Sequence, residues 1–259
     1  MTPQGAPLIV EVAGGPVEVG VEPGPDPPLV FLHEGLGSLG LWRSFPDDVR
    51  DATGGLATVV FSRHGYGSSG PAQLPRTVTY MHHEADVVLP DLLARLGVQR
   101  PVLVGHSDGA SIALLYAGNA AHGAAIAGLV LLAPHVFVEA TSVQGIRAAR
   151  AAYQHGELRE RLARHHADVD GAFWGWNDIW LSPEFRSWNI CDRLRDITCP
   201  VLVIQGEADA YGTPAQLDAI EAGVAGPVTT VLLPGVGHAP HLEAADATLE
   251  AVTRFVRRL

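Results

Sequence analysis

The chain contains no lysine. All 17 of its Lys and Arg positions are arginine, against 28 Asp and Glu, so the formal net charge is −11. Without a lysine amine there is no Schiff base to a carbonyl or to a pyridoxal cofactor, no Ser–Lys dyad and no P-loop lysine. An acidic chain without a Lys/Arg run also lacks the concentrated basic surface that nucleic acid requires. Cysteine is scarce too. Cys191 and Cys199 cannot form a disulfide framework and read as free thiols of a reducing compartment, so a cytoplasmic location is expected. Long apolar runs are missing. Stretches such as 124–134 fall short of the roughly 20 residues of a membrane helix, and residues 1–13 lack the basic and apolar regions of a secretory leader. The expectation is a soluble protein with no membrane and no nucleic-acid partner. Nothing in the sequence selects between a monomer and a homo-oligomer.

What is present is a globular composition, 47% apolar and 17% charged. The 259 residues suit one large domain or a domain with an insertion. Short runs rich in Val, Leu and Ile lie between Gly and Pro. Residues 8–12 and 17–21 flank Gly14-Gly15 and predict an antiparallel hairpin. Residues 28–32, 57–61, 101–104, 128–132, 200–204 and 228–233 are apolar without alternation, which predicts parallel strands covered on both faces. Amphipathic stretches over 78–96, 109–122, 213–222 and 243–259 predict helices. Strands alternating with helices imply a doubly wound α/β sheet. The 133–199 interval is far too long for an ordinary connection. It holds Arg-rich helical text over 146–166 and then Phe173-Trp174-Gly175-Trp176-Asn177-Asp178-Ile179-Trp180, and reads as an inserted helical cap.

The strongest local signal is Gly105-His106-Ser107-Asp108-Gly109. It fits G-x-S-x-G, follows a predicted strand and precedes a predicted helix. Such a tight strand-to-helix turn projects the Ser107 hydroxyl above the sheet, and the small residues on either side prevent clashes. Backbone N–H groups at the helix N-terminus can then stabilise developing negative charge. A serine nucleophile needs a base, and the chain has 12 histidines. His238 follows the last predicted strand within Gly235-Val236-Gly237-His238, at the carboxyl edge that also carries Ser107. His241 lies nearby but is expected to begin the final helix. The base needs an orienting acid. Asp209 in Gly206-Glu207-Ala208-Asp209 follows the strand at 200–204, with Glu207 as the local competitor and Thr213, ahead of Pro214, as the better helix cap.

The order Ser107, Asp209, His238 resembles that of the α/β-hydrolase superfamily, and the resemblance runs from Val30 to the C-terminal helix. Phe31-Leu32-His33-Glu34-Gly35-Leu36-Gly37 is similar to that superfamily's His-Gly oxyanion loop, and Ser62-Arg63-His64-Gly65-Tyr66-Gly67-Ser68-Ser69 to its Asp-x-x-Gly-x-Gly-x-Ser turn. The resemblance implies an α/β-hydrolase fold: a mostly parallel eight-stranded sheet flanked by helices, with a helical cap inserted after the sixth strand. Core segments 1–134 and 198–259 would then enclose a cap at 135–197. It also implies oxyanion donors at the backbone of Asp108 and of Gly35, with Leu36 next. A serine, where haloalkane dehalogenases and epoxide hydrolases carry Asp, implies acyl chemistry on a small-molecule substrate without a cofactor. The expected reaction is hydrolysis of an ester, thioester or related acyl bond. The alternative is carbon–carbon hydrolysis of the meta-cleavage type, and a non-catalytic receptor on the same fold is the third reading.

Two acids stand where negative charge is inconvenient. Glu34 replaces the glycine usual after the loop histidine, so it must point away, pair with Arg63 or Arg43, or serve a special role. Asp108 either meets a cationic amine of the substrate, as in amino-acid ester hydrolases with a similar elbow, or turns inward to a backbone group or a loop arginine, which is the expected case. Trp174, Trp176, Trp180 and Trp188 crowd into the insert; the first three are candidates to line an apolar pocket over Ser107. The pairs His82-His83 and His165-His166 do not predict a metal site, because adjacent helical residues diverge. The arginines of 147–164 are expected to form a solvated face.

Overall fold

The computed structural model of the chain describes residues 7–259; the first six residues, which open the 1–134 segment, lie outside the described residues. Eight strands form one sheet: β1 (Leu8–Val12), β2 (Gly15–Glu22), β3 (Leu29–Leu32), β4 (Thr58–Phe61), β5 (Val102–His106), β6 (Gly128–Leu132), β7 (Val201–Gly206) and β8 (Val228–Leu233). Their order is β1-β2-β4-β3-β5-β6-β7-β8. β2 runs antiparallel to β1 and β4, and every other pairing is parallel. The predicted hairpin forms around Ala13-Gly14, with Gly14 at a φ of 97° that its lack of a Cβ permits. The mostly parallel α/β architecture is the one expected from the sequence.

Among the described residues eleven α-helices follow in chain order: α1 (Phe45–Ala52), α2 (Tyr80–His83), α3 (Leu89–Arg95), α4 (Asp108–Ala117), α5 (Ala140–His155), α6 (Leu158–Leu162), α7 (Val169–Leu181), α8 (Cys191–Leu194), α9 (Ala215–Gly223), α10 (Pro240–Glu243) and α11 (Ala245–Val256). Side chains alternate across each central strand. Val30, Leu103, Leu129 and Val203 face the core under α3 and α4, whereas Phe31, Val104, Val130 and Ile204 face the core under α1 and α11. The expectation of strands covered on both faces fails for β8, where Thr229, Thr230 and Leu232 are exposed, because this strand closes the sheet edge. The single helix predicted over 78–96 is interrupted by a π turn at Glu84–Val88. Pro90, at the start of α3, has no N–H to donate to the carbonyl four residues earlier, so the regular ladder cannot continue through it.

Between β6 and β7, α5, α6 and α7 pack on one another, whereas α8 packs against α4 and α9. Tyr153 stacks on Phe173 at 3.7 Å between ring centres, and Phe185 on Trp188 at 5.3 Å. Among the described residues, no helix is long and apolar enough to cross a membrane.

Candidate active site

β5 ends at His106 and α4 begins at Asp108, so the turn falls on Ser107, which adopts φ 52° and ψ −117°. A non-glycine residue holds that conformation only when its surroundings enforce it. A Cβ on Gly105 would meet Ala110, and one on Gly109 would run into the carbonyl of Leu32, so both glycines are required for the turn to sit against β3 and its own helix. The Ser107 amide donates to the Leu132 carbonyl at 2.9 Å, fixing the turn to β6.

His238 stands in the loop between β8 and α10. Its Nδ1 lies 2.9 Å from both carboxylate oxygens of Asp209. A carboxylate accepts, so Nδ1 carries the proton and Nε2 is left with the lone pair. The Asp209 side chain is fully buried and also accepts from the Tyr211 amide at 2.8 Å. Burial works against its charge, but the hydrogen bond and charge of His238 outweigh it and hold the Asp209 carboxyl below its ordinary range. Glu207, the sequence competitor, is exposed. Ser107 and His238 line the same cavity of about 360 Å³.

The loop after β3 is pinned by His33 and Arg63. The Arg63 amide donates to His33 Nε2 at 3.0 Å, so Nδ1–H is the donor to the Glu34 carbonyl at 2.7 Å. The Arg63 guanidinium reaches that same carbonyl at 2.9 Å. Burial first, then the charge of Arg63, holds His33 neutral, its pKa well below the ordinary value. His166 fastens the next residues: its Nδ1 accepts from the Gly67 amide and its Nε2 donates to the Leu36 carbonyl, both at 3.0 Å. That is the role of one of the paired histidines. A Cβ on Gly35 would strike the Trp176 indole, so only glycine fits there. Among the described residues, the N–H groups of Gly35, Leu36 and Asp108 donate to no protein acceptor.

Glu34 is paired, but with neither Arg63 nor Arg43. Its carboxylate faces His106 Nδ1 at 3.4 Å, and His106 Nε2 lies 2.8 Å from the carbonyl of His238. A carbonyl can only accept, so Nε2 carries a proton. An unprotonated Nδ1 would set its lone pair against the carboxylate, so the pair holds a second proton between Nδ1 and Oε2. Burial disfavours both charges, yet their mutual hydrogen bond and attraction prevail: His106 is raised and Glu34 lowered from its ordinary range. The spatial neighbour is instead the residue beside Ser107.

Asp108 turns inward, as expected. It accepts from the Tyr80 hydroxyl at 2.6 Å and lies 3.9 Å from the Arg63 guanidinium. The Trp180 indole N–H donates to the same Tyr80 oxygen at 3.1 Å. Burial raises the Asp108 carboxyl, against the opposing charge of Arg63.

Trp176 and Trp180 line the cavity over Ser107; they are four apart and share a face of α7. Trp174 does not. Two residues from Trp176, it points to another side of α7, where it lines a separate groove with Leu74 and Arg76 and carries the Arg150 guanidinium over its ring. Sequence reasoning passed over His106, His135, Tyr211, Ser142, Ile146 and Arg161, all of which line the cavity. His135 and Tyr211 follow β6 and β7 at the carboxyl edge, the signal that selected Asp209 and His238. Neither ring nitrogen of His135 has a partner among the described residues. Burial first, then the neighbouring charge of His238, takes its pKa down to about 3. Among the described residues no three His, Cys, Asp or Glu are grouped to hold a metal ion.

This fold and this arrangement at its carboxyl edge define a class. A sequence profile of the alpha/beta hydrolase family matches residues 29–251, and the chain belongs to that family. No curated protein matches it at a significant level. Similar solved structures include an enol-lactonase from Burkholderia xenovorans, 20% identical over 96% of this chain and 99% of that one, with a TM-score of 0.74. A thermophilic esterase from Thermogutta terrifontis is 19% identical over 97% and 98%, with a TM-score of 0.71. A proline iminopeptidase from Mycobacterium smegmatis is 20% identical over 97% and 98%, with a TM-score of 0.69.

Proposed function

We propose that this chain is a serine hydrolase that cleaves a carboxylic ester, thioester or related acyl bond of a small, largely apolar substrate. His238 Nε2 takes the Ser107 proton as Oγ attacks the carbonyl carbon, and Asp209 stabilises the imidazolium. The tetrahedral oxyanion is met by the N–H of Asp108 and of Gly35 or Leu36, three donors without protein acceptors. His238 returns the proton to the leaving group. Water, activated by the same histidine, then releases the acyl group from Ser107. No step calls for a cofactor. Residues 135–197 act as the cap, with Trp176 and Trp180 forming its apolar wall. The Glu34–His106 pair positions the base by holding the His238 carbonyl.

The observation that carries the reading is the His238–Asp209 contact, 2.9 Å to each carboxylate oxygen, beside a serine at φ 52° on the same cavity. The purified chain is expected to hydrolyse p-nitrophenyl butyrate with a Ser107-linked acyl group visible by intact mass. Ser107→Ala should lose at least about a thousandfold in kcat/KM. Equal rates for the two proteins would refute it.

A further inference from the structure

We infer that the substrate carries a carboxylate, on its acyl or its leaving portion, that Arg161 binds at the wall of the cavity. The inference rests on the hydrolase reading above and extends it to substrate class. Arg161 comes from α6, between β6 and β7, whereas Ser107 comes from the β5–α4 turn, yet both line one cavity. Their layers differ, so a ligand can hold the Ser107 hydroxyl with one group and the guanidinium with another.

The charges around the cavity are otherwise committed. Glu34 pairs with His106, Asp108 accepts from Tyr80 with Arg63 beside it, and Asp209 pairs with His238. Two arginines of the insert are committed as well, Arg159 to Asp170 at 2.7 Å and Arg150 to Asp178, and among the described residues Arg161 is the arginine that lines the cavity. Among the described residues, the Arg161 guanidinium has no hydrogen-bond or ion-pair partner. It is a solvent-facing cation on a chain of net charge −11, whose general field repels anions. An unpaired guanidinium here gives a carboxylate the specific partner that the bulk surface denies it, in a bidentate geometry suited to that group. The neutral His135 and the Tyr211 hydroxyl, without protein partners among the described residues, add uncharged polar contacts. At about 360 Å³ the cavity suits a compact molecule.

The test uses the whole chain and three esters: p-nitrophenyl butyrate, the mono-p-nitrophenyl ester of glutaric acid with its carboxylate on the acyl side, and 4-carboxyphenyl butyrate with it on the leaving side. Arg161→Gln should lower kcat/KM about tenfold for at least one charged ester, chiefly through KM, and leave the neutral ester within about twofold. Arg161→Lys should restore part of that loss and Arg161→Glu should deepen it. The ester that responds identifies the end of the substrate that is charged. Binding of free glutarate, measured calorimetrically, should weaken in parallel without any turnover. Equal losses on charged and neutral esters, or no loss on either charged ester, overturns the inference. Ser107→Ala in the same panel keeps the two claims apart: activity that survives in it sinks the serine mechanism, whereas charge-blind Arg161 variants beside a dead Ser107→Ala sink only the carboxylate site.

Discussion

His241 sets a test of how this site tolerates acid. It is 4% exposed, and its ring lies 5.0 Å from Trp42, 5.4 Å from Phe45 and 4.9 Å from His106. Burial first, then the charge of His106, takes its pKa from 6.5 to about 3. The folded state therefore keeps this imidazole neutral over a range in which the unfolded chain protonates it. Where the unfolded state binds more protons, stability rises with pH, so the stability that His241 confers at neutrality is lost as pH falls below about 6.5. At pH 5 the difference is about 1.5 pH units at 1.36 kcal/mol each, or about 2 kcal/mol. His135, also near 3, adds a similar amount. Their sum, about 4 kcal/mol, is a large part of the 5–15 kcal/mol of a typical domain. His241→Phe keeps an aromatic ring against Trp42 and Phe45 and removes the titration. Melting curves at pH 7.5 and pH 5 should show the variant spared about 4–8 °C of the wild-type drop, at about 2–4 °C per kcal/mol for a chain of this size. An identical acid-side drop in both proteins would refute the reasoning, since it would mean that His241 does not exclude protons in the folded state.

Two further outcomes follow from the polar contacts around Ser107. Arg63→Met removes the nearer of the two cations acting on buried Asp108 and leaves only Arg76, so chemical denaturation should show a loss of about 3 kcal/mol, and adding Asp108→Asn, which keeps an acceptor for Tyr80, should recover much of it. Glu34→Gln offers an amide N–H to His106 Nδ1 and preserves the Nε2–H bond to the His238 carbonyl, so kcat should change less than about threefold, whereas Glu34→Leu frees the ring and should lower kcat about tenfold or more. The pair's proton is held to higher pH than an ordinary histidine's and leaves as pH rises through that raised value, so wild type should show an alkaline limb in kcat that Glu34→Gln lacks.

Much of this was legible in the sequence because it is written at strand ends. The carboxyl edge of a parallel sheet collects whatever follows each strand, so once the G-x-S-x-G motif marked Ser107, the candidates Asp209 and His238 could be chosen by position, and the same rule reaches His135 and Tyr211. Gly35 and Gly109 were legible as small residues, but the reasons for them, the Trp176 indole and the Leu32 carbonyl, were not. Helix faces were harder. Trp174, Trp176 and Trp180 form one aromatic cluster in the sequence, and only the rotation of α7 separates the first from the other two. Arg161 reads as one more cation of a solvated face until the fold sets it on the wall of the Ser107 cavity.

Glu34 is the position at which sequence reasoning stopped short, and its resolution bears on the mechanism. A free carboxylate beside the proposed oxyanion donors would oppose the charge that develops there in the proposed reaction. Bound to His106, it forms a pair close to neutral, and that pair holds the His238 carbonyl while Asp209 holds the ring. His238, the base of the proposed mechanism, is thus fixed at two points, its imidazole by one carboxylate and its backbone by another acting through a histidine. Such two-point support narrows the geometries open to His238 Nε2, and proton transfer from Ser107 depends on that alignment. The pair then favours the reaction through position rather than through its charge. On this account the uncharged Glu34→Gln should be tolerated and the apolar Glu34→Leu should not, whereas a purely electrostatic role would make the two substitutions equally costly.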